Sequence, residues 1–174
     1  AERILTELAR QWHHDGHKIT VIQTSPNRYG TEYALPEGIE QIQIHTTSSN
    51  KILRFLQEIK ALIGILKQRP NATCLSFLSA SSFILAISSW FVKNRMVFSE
   101  RNNPRKVPVG KHQQMLRDFA FRFADALVFQ TEDAKSYFSN SIQRRGHIIP
   151  NPINGNLPEP YEGEREKIIV TACR

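Results

Sequence analysis

Thr73-Cys74-Leu75-Ser76-Phe77-Leu78, then Ser79-Ala80-Ser81-Ser82, an apolar run to Phe91, and Arg95-Met96-Val97-Phe98-Ser99 form the stretch that decides the fold. Its two ends are short apolar runs of strand length. The middle reads as a turn and helix N-cap over Ser79–Ser82, followed by a buried helix over Ser81–Phe91. A strand, a helix and a second strand in succession make a crossover unit, which joins parallel strands. The competing reading is a membrane span, because Thr73 to Val92 carries no charged residue over roughly the length that crosses a bilayer. Ser76, Ser79, Ser81, Ser82, Ser88 and Ser89 interrupt that run and favour the strand and helix.

The alternation continues upstream. Ile4, Leu5, Leu8, Ala9 and Trp12 lie on one stripe of a helix over Glu2–His14, which Gly16 stops. Ile19–Thr24 is a β-branched strand. Ser25–Gly38 holds two Pro and two Gly and reads as loop. Ile39–His45 alternates only in part, because Ile39 is out of step with Ile42 and Ile44, and reads as a half-exposed edge strand. Lys51–Lys67 is the clearest helix. Ile52, Leu53, Phe55, Leu56, Ile59, Leu62, Ile63 and Leu66 predict a wide buried face, and Pro70 stops it.

Downstream come a polar loop (Glu100–Gly110), a helix (Lys111–Ala124), a strand (Ala126–Thr131), a short helix (Glu132–Phe138) and a short strand (His147–Ile149). The segment from Pro150 contains Pro150, Pro152, Pro158 and Pro160 and reads as an extended linker. Lys167–Cys173 reads as one more strand. The expected class is α/β, a Rossmann-like parallel sheet with helices on both faces. The expected division is a domain over 1–149, a linker over 150–166 and the first strand of a further domain over 167–174.

At 174 residues the chain is long enough for one domain with a real core. With 40% hydrophobic and 22% charged residues it is globular, not disordered. It opens in a helical pattern without a secretory leader's layout, and its start is read as a cut inside a longer protein. Cys74 and Cys173 sit in apolar runs without metal or disulfide spacing, which fits a reducing, cytoplasmic compartment. The net charge of +7 suggests an anionic partner, with plain solubility as the bland alternative.

In parallel sheets of this kind ligands bind beyond the carboxyl ends of the strands. That rule selects Ser25–Arg28, Ser79–Ser82, Ser99–Lys106 and Thr131–Asp133. The loop Ser99-Glu100-Arg101-Asn102-Asn103-Pro104-Arg105-Lys106 is the most suggestive. Glu and Asn hydrogen-bond sugar hydroxyls, and Arg pairs with phosphate; a solvated turn is the alternative. Thr131-Glu132-Asp133 opens a helix, where Thr or Asp also serves simply as a cap. His13 and His14 are neighbours that diverge on a helix and make no metal pair. His112 reads as a surface residue. Metalloprotease, Walker A and nucleophile-elbow motifs are absent, as are Gly-rich phosphate loops.

Taken together, Glu2-Arg3-Ile4-Leu5-Thr6-Glu7-Leu8-Ala9 and Asp15-Gly16-His17-Lys18-Ile19-Thr20-Val21-Ile22 resemble the opening of the family-4 retaining glycosyltransferases. Ser99-Glu100-Arg101-Asn102 resembles that family's S-E-H/R-N loop, and Ala124 to Thr131 its A-D-x-hydrophobic strand. Ile148-Ile149-Pro150-Asn151-Pro152-Ile153 is similar to its V-I-P-N-P segment, and Lys167 to Arg174 to the strand opening its second domain.

The resemblance implies one half of a GT-B fold, two facing Rossmann-like domains with the active site between them. It implies that a C-terminal domain holds a nucleotide sugar, the co-substrate, while this half mainly holds the acceptor. Transfer would proceed with retention and with no metal or other cofactor. Arg101 and Glu100 are then the expected catalytic residues. Ser99, Asn102, Arg105, Lys106, Thr131 and Asn151 are the expected substrate-binding residues, with Arg174 matching a donor-phosphate arginine. The family's first strand, its Gly-Gly loop and most of its donor domain have no counterpart in this chain. Cys173 stands where Gly is usual, and Arg101 where His is frequent, which questions any role needing a neutral imidazole.

The expected function is transfer of a hexose or N-acetylhexosamine to a surface-polysaccharide or lipid-linked acceptor, in the cytoplasm or at the inner face of the membrane. The chain alone is expected to be inactive. The alternative is a non-catalytic basic module binding nucleic acid or an anionic membrane. Dispersed Lys and Arg, and the lack of a nucleic-acid-binding signature, argue against nucleic acid as partner. A further expectation concerns Lys167–Cys173: it would fill a slot between 19–24 and 73–78, within one chain or by strand exchange with a neighbour.

Overall fold

The computed structural model describes residues 2–23, 35–77, 79–107, 110–152 and 162–163. In chain order the first elements are α1 (Glu2–His14), β1 (Thr20–Gln23), β2 (Glu40–Gln43), α2 (Lys51–Lys67), β3 (Thr73–Ser76) and α3 (Ser79–Ser88). There follow β4 (Arg95–Ser99), α4 (Lys111–Phe121), β5 (Ala126–Phe129), α5 (Glu132–Ser136), α6 (Asn140–Gln143) and β6 (Gly146–Ile148).

All pairings are parallel. β3, β4, β5 and β6 form one sheet in sequence order, with Cys74 opposite Met96, Phe98 opposite Leu127 and Leu127 opposite Gly146. β1 and β2 form a second sheet, in register from Thr20 and Glu40 to Gln23 and Gln43. Among the described residues β1 and β3 do not pair with each other. The α/β, Rossmann-like class is borne out. Most of the linker expected over 150–166, the strand expected over 167–174 and the filling of the slot by Lys167–Cys173 lie outside the described residues, and the three-part division with them.

The core is aromatic and centres on β4 and β5. Phe98, Leu127 and Phe129 are fully buried. Phe121 of α4 meets Phe138 at 5.3 Å between ring centroids, and Phe138 meets Phe129 at 5.2 Å. Polar groups tie the connections down. Asn94 Nδ2 donates to the carbonyls of Arg69 (2.6 Å) and Ala72 (3.0 Å), fixing the α2–β3 turn. Glu40 accepts from Thr20 Oγ1 (2.7 Å) and Arg69 Nη2 (2.7 Å), joining the small sheet to the residues after α2. Gly16 closes α1 at φ +86°, a conformation that L side chains rarely adopt.

Three expectations need correction. α2 has the predicted bounds, and Asn50 Oδ1 caps it by accepting from Ile52 N (2.9 Å) and Leu53 N (3.3 Å). Its buried face is narrow, however: Ile59, Leu62 and Leu66 are buried, while Ile52, Leu53 and Leu56 are exposed. The Ser79–Ser82 cluster is no turn, since α3 already begins at Ser79 and ends at Ser88, short of Phe91. Ser81 and Ser82 each place Oγ 2.9 Å from Ser76 Oγ, which satisfies hydroxyls inside the β3–α3 joint. Finally, α6 was not anticipated. Among the described residues, no helix is long and apolar enough to cross a membrane.

Candidate functional site

The carboxyl end of β4 sends successive side chains to opposite sides, as any strand does. Phe98 and Glu100 turn toward α4, where they meet Phe121 and Arg117, and Arg101 turns the other way, over the Phe77 ring. Glu100 N still donates to Val128 O (2.9 Å), so strand geometry persists into the loop.

On the α4 side the loop is held by a buried cation. The Arg117 side chain is wholly buried, with Nη1 3.7 Å from Glu100 Oε2. The same nitrogen donates to the carbonyls of Pro104 (3.1 Å) and Val107 (2.9 Å), and Nε donates to Asp118 Oδ1 (2.9 Å). The guanidinium lies over the rings of Tyr137 (5.1 Å) and Phe138 (4.9 Å). Glu100 Oε1 accepts from Asn102 N (3.1 Å), which sets the turn after β4. Burial pushes the Glu100 carboxyl above the ordinary carboxylate range, although the amide of Asn102 and the charge of Arg117 oppose the shift.

On the other side Arg101 is half-buried. Its guanidinium lies 5.6 Å from the centroid of the Phe77 ring, beyond the end of β3. Nη2 donates to Asn151 Oδ1, which also accepts from Gln130 Nε2 (3.1 Å). Residues at the ends of β3, β4 and β5 and in the segment after β6 are thus linked through the Arg101–Asn151 pair. Among the described residues no carboxylate pairs with Arg101, and Ser99 Oγ, buried at 4% exposure, has no hydrogen-bond partner. Desolvation lowers the Arg101 pKa from its ordinary value.

The other expected residues spread outward. Asn102 and Lys106 are exposed. Arg105 is exposed, pairs with Asp133 (3.3 Å) and lies over the Tyr137 ring (5.6 Å). Thr131 Oγ1 accepts from Ala134 N (3.1 Å), so it caps α5. The structure therefore brings Arg101 and Asn151 together, and sets Glu100 behind the loop with Arg117. Arg174 and Ser25–Arg28 lie outside the described residues. Sequence reasoning missed three participants, Phe77, Gln130 and Arg117. The first two sit at strand ends and were accessible to the strand-end rule; Arg117 sits inside a helix and gave no signal. Among the described residues no group of three His, Cys, Asp or Glu side chains gathers as a metal set would.

Residues 1–156 of the 174-residue chain match the family model described as Glycosyltransferase Family 4. No curated protein matches the chain.

Proposed function

The chain belongs to glycosyltransferase family 4, and from that premise we propose that it forms the acceptor-side half of an enzyme that transfers a hexose or N-acetylhexosamine from a nucleotide sugar. The acceptor in this reading is a surface-polysaccharide or lipid-linked glycan, and the anomeric configuration is retained. The observation that carries it is the meeting of Arg101, Asn151 and Gln130 at the carboxyl ends of the parallel strands, where such sheets bind ligands. Arg101 holds a negatively charged group of the substrates at the strand ends, and Asn102, exposed beside it, contacts acceptor hydroxyls. Glu100 acts through the loop, because its carboxylate is buried against Arg117. Donor binding belongs to a second domain, so this chain alone does not turn over. We place the enzyme in the cytoplasm at the inner membrane face. Exposed Trp90 and Phe91, next to Lys93, support that placement by offering aromatic and basic groups to a lipid surface.

The test is transfer from labelled nucleotide sugars to lipid-linked acceptors, by the full-length enzyme and by the 174-residue chain. Product from the former and none from the latter is expected. Turnover by the chain alone, or none by the full-length enzyme with any hexose donor, overturns the proposal.

A further inference from the structure

Among the described residues of the Ser99–Lys106 loop, Arg101 and Lys106 have no carboxylate partner, and of these Lys106 is exposed while Arg101 is half-buried. Arg117 faces Glu100 and Asp118, and Arg105 faces Asp133. Arg101 has only the neutral Oδ1 of Asn151 and the face of Phe77. It is also partly withdrawn from water, whereas most unpaired cations among the described residues stand in solvent and need no partner. A guanidinium held in place by an aromatic ring and an amide, without a counter-ion, is set up to receive an anion. Gln130 Nε2, which donates to the same Asn151 Oδ1, adds a neutral donor beside the guanidinium, and neutral donors suit phosphate oxygens.

We propose that Arg101, with Asn151 and Gln130, forms a binding site for a phosphate group carried by the acceptor. The site takes a phosphate monoester or diester at the half-buried Arg101 guanidinium. On binding, the anion replaces Asn151 Oδ1 as the principal partner of Arg101, and the freed amide turns its Nδ2 toward the phosphate. The assignment of this phosphate to the acceptor rests on the acceptor-side reading; the anion site itself rests on the geometry alone.

The test uses the 174-residue chain, assigned arginine Nε–Hε resonances and three probes: methyl phosphate, a water-soluble short-chain prenyl phosphate and uridine diphosphate. Methyl phosphate and the prenyl phosphate should each move the Arg101 resonance with a saturable curve. Arg101→Gln should weaken binding about 10-fold or more, as loss of a charge-assisted pair does, while Arg101→Lys retains part of it. Arg54→Gln, an exposed arginine on α2, should change nothing. A linear, non-saturable shift, or one equally strong at Arg54, would mean only general attraction to a basic protein and overturns the site. Saturable binding of uridine diphosphate without binding of either monoester overturns the assignment to the acceptor. The wild-type titration decides the matter even if Arg101→Gln does not fold. Absence of transferase activity in the full-length enzyme would overturn the proposed function and leave the anion site standing.

Discussion

Arg117 Nη1 lies 3.7 Å from Glu100 Oε2, with the two side chains 0% and 3% exposed. One buried cation thereby holds the floor of the candidate site from a helix that carries none of its exposed residues. Removing one partner of a buried pair leaves a charge without compensation, which costs about 3–5 kcal/mol. Arg117→Met should therefore lower unfolding stability by about that amount in urea titrations. The double variant Glu100→Gln/Arg117→Met should recover part of the loss, because it removes both charges. Strict additivity of the two single changes would show that the pair is not coupled.

Glu100 also sets a pH dependence. Burial holds its carboxyl above the ordinary carboxylate range, so the folded state keeps a proton that the unfolded chain has already released. For a raised acid pKa, the stability contribution is fully present below the unfolded value and is lost as pH rises through the folded one. Glu100→Gln removes that loss. The variant should gain on the wild type as pH rises from about 4 to about 7, a range bracketing the carboxylate titration. A difference between the two proteins that stays constant across this range would mean Glu100 titrates alike in both states.

Gly146 pairs with Leu127 in the last strand, and a Cβ placed there would lie 2.5 Å from Phe129 Cε2. That ring is fully buried and packs on Phe138, so it cannot swing aside without disturbing the aromatic core. Gly146→Ala should destabilise the protein by about 1–3 kcal/mol, as overpacking does. A melting temperature equal to that of the wild type would show that β6 shifts freely.

Thr131 was a substrate-binding candidate in sequence, and its hydroxyl caps α5. Thr131→Ala should cost about 1 kcal/mol of stability, the usual worth of a cap, and Thr131→Ser should restore it. Acceptor affinity of the full-length enzyme should be unchanged in both. A rise in acceptor KM with Thr131→Ala, at unchanged stability, would return Thr131 to the binding surface.

How far the sequence could be read depended on what each feature answers to. Arg95–Ser99 and Lys51–Lys67 have the predicted bounds because short apolar runs, caps and stops act locally. Periodicity shows which residues share a face, not whether anything covers it, and so Ile52, Leu53 and Leu56 were wrongly placed in the core. The serines at 79–82 have the composition of a cap or turn, yet Ser81 and Ser82 lie inside α3 with their hydroxyls on Ser76. In the site, the strand-end rule led to Arg101, and the family resemblance added Asn151. Neither separated Arg101 from Glu100, since alternation sends neighbours to opposite sides and only the fold shows what waits there. Arg117 was invisible because a buried arginine is defined by its tertiary partners, here Pro104, Val107 and two aromatic rings.

In the proposed function Arg101 serves glycosyl transfer from the carboxyl end of the sheet. The most direct measurement is kcat/KM for sugar transfer by the full-length enzyme carrying Arg101→Ala, with folding checked by its melting temperature. A loss of about 10-fold or more is expected, the scale of losing a charge-assisted pair, at a melting temperature close to that of the wild type. Wild-type kcat/KM in a folded Arg101→Ala enzyme would contradict it.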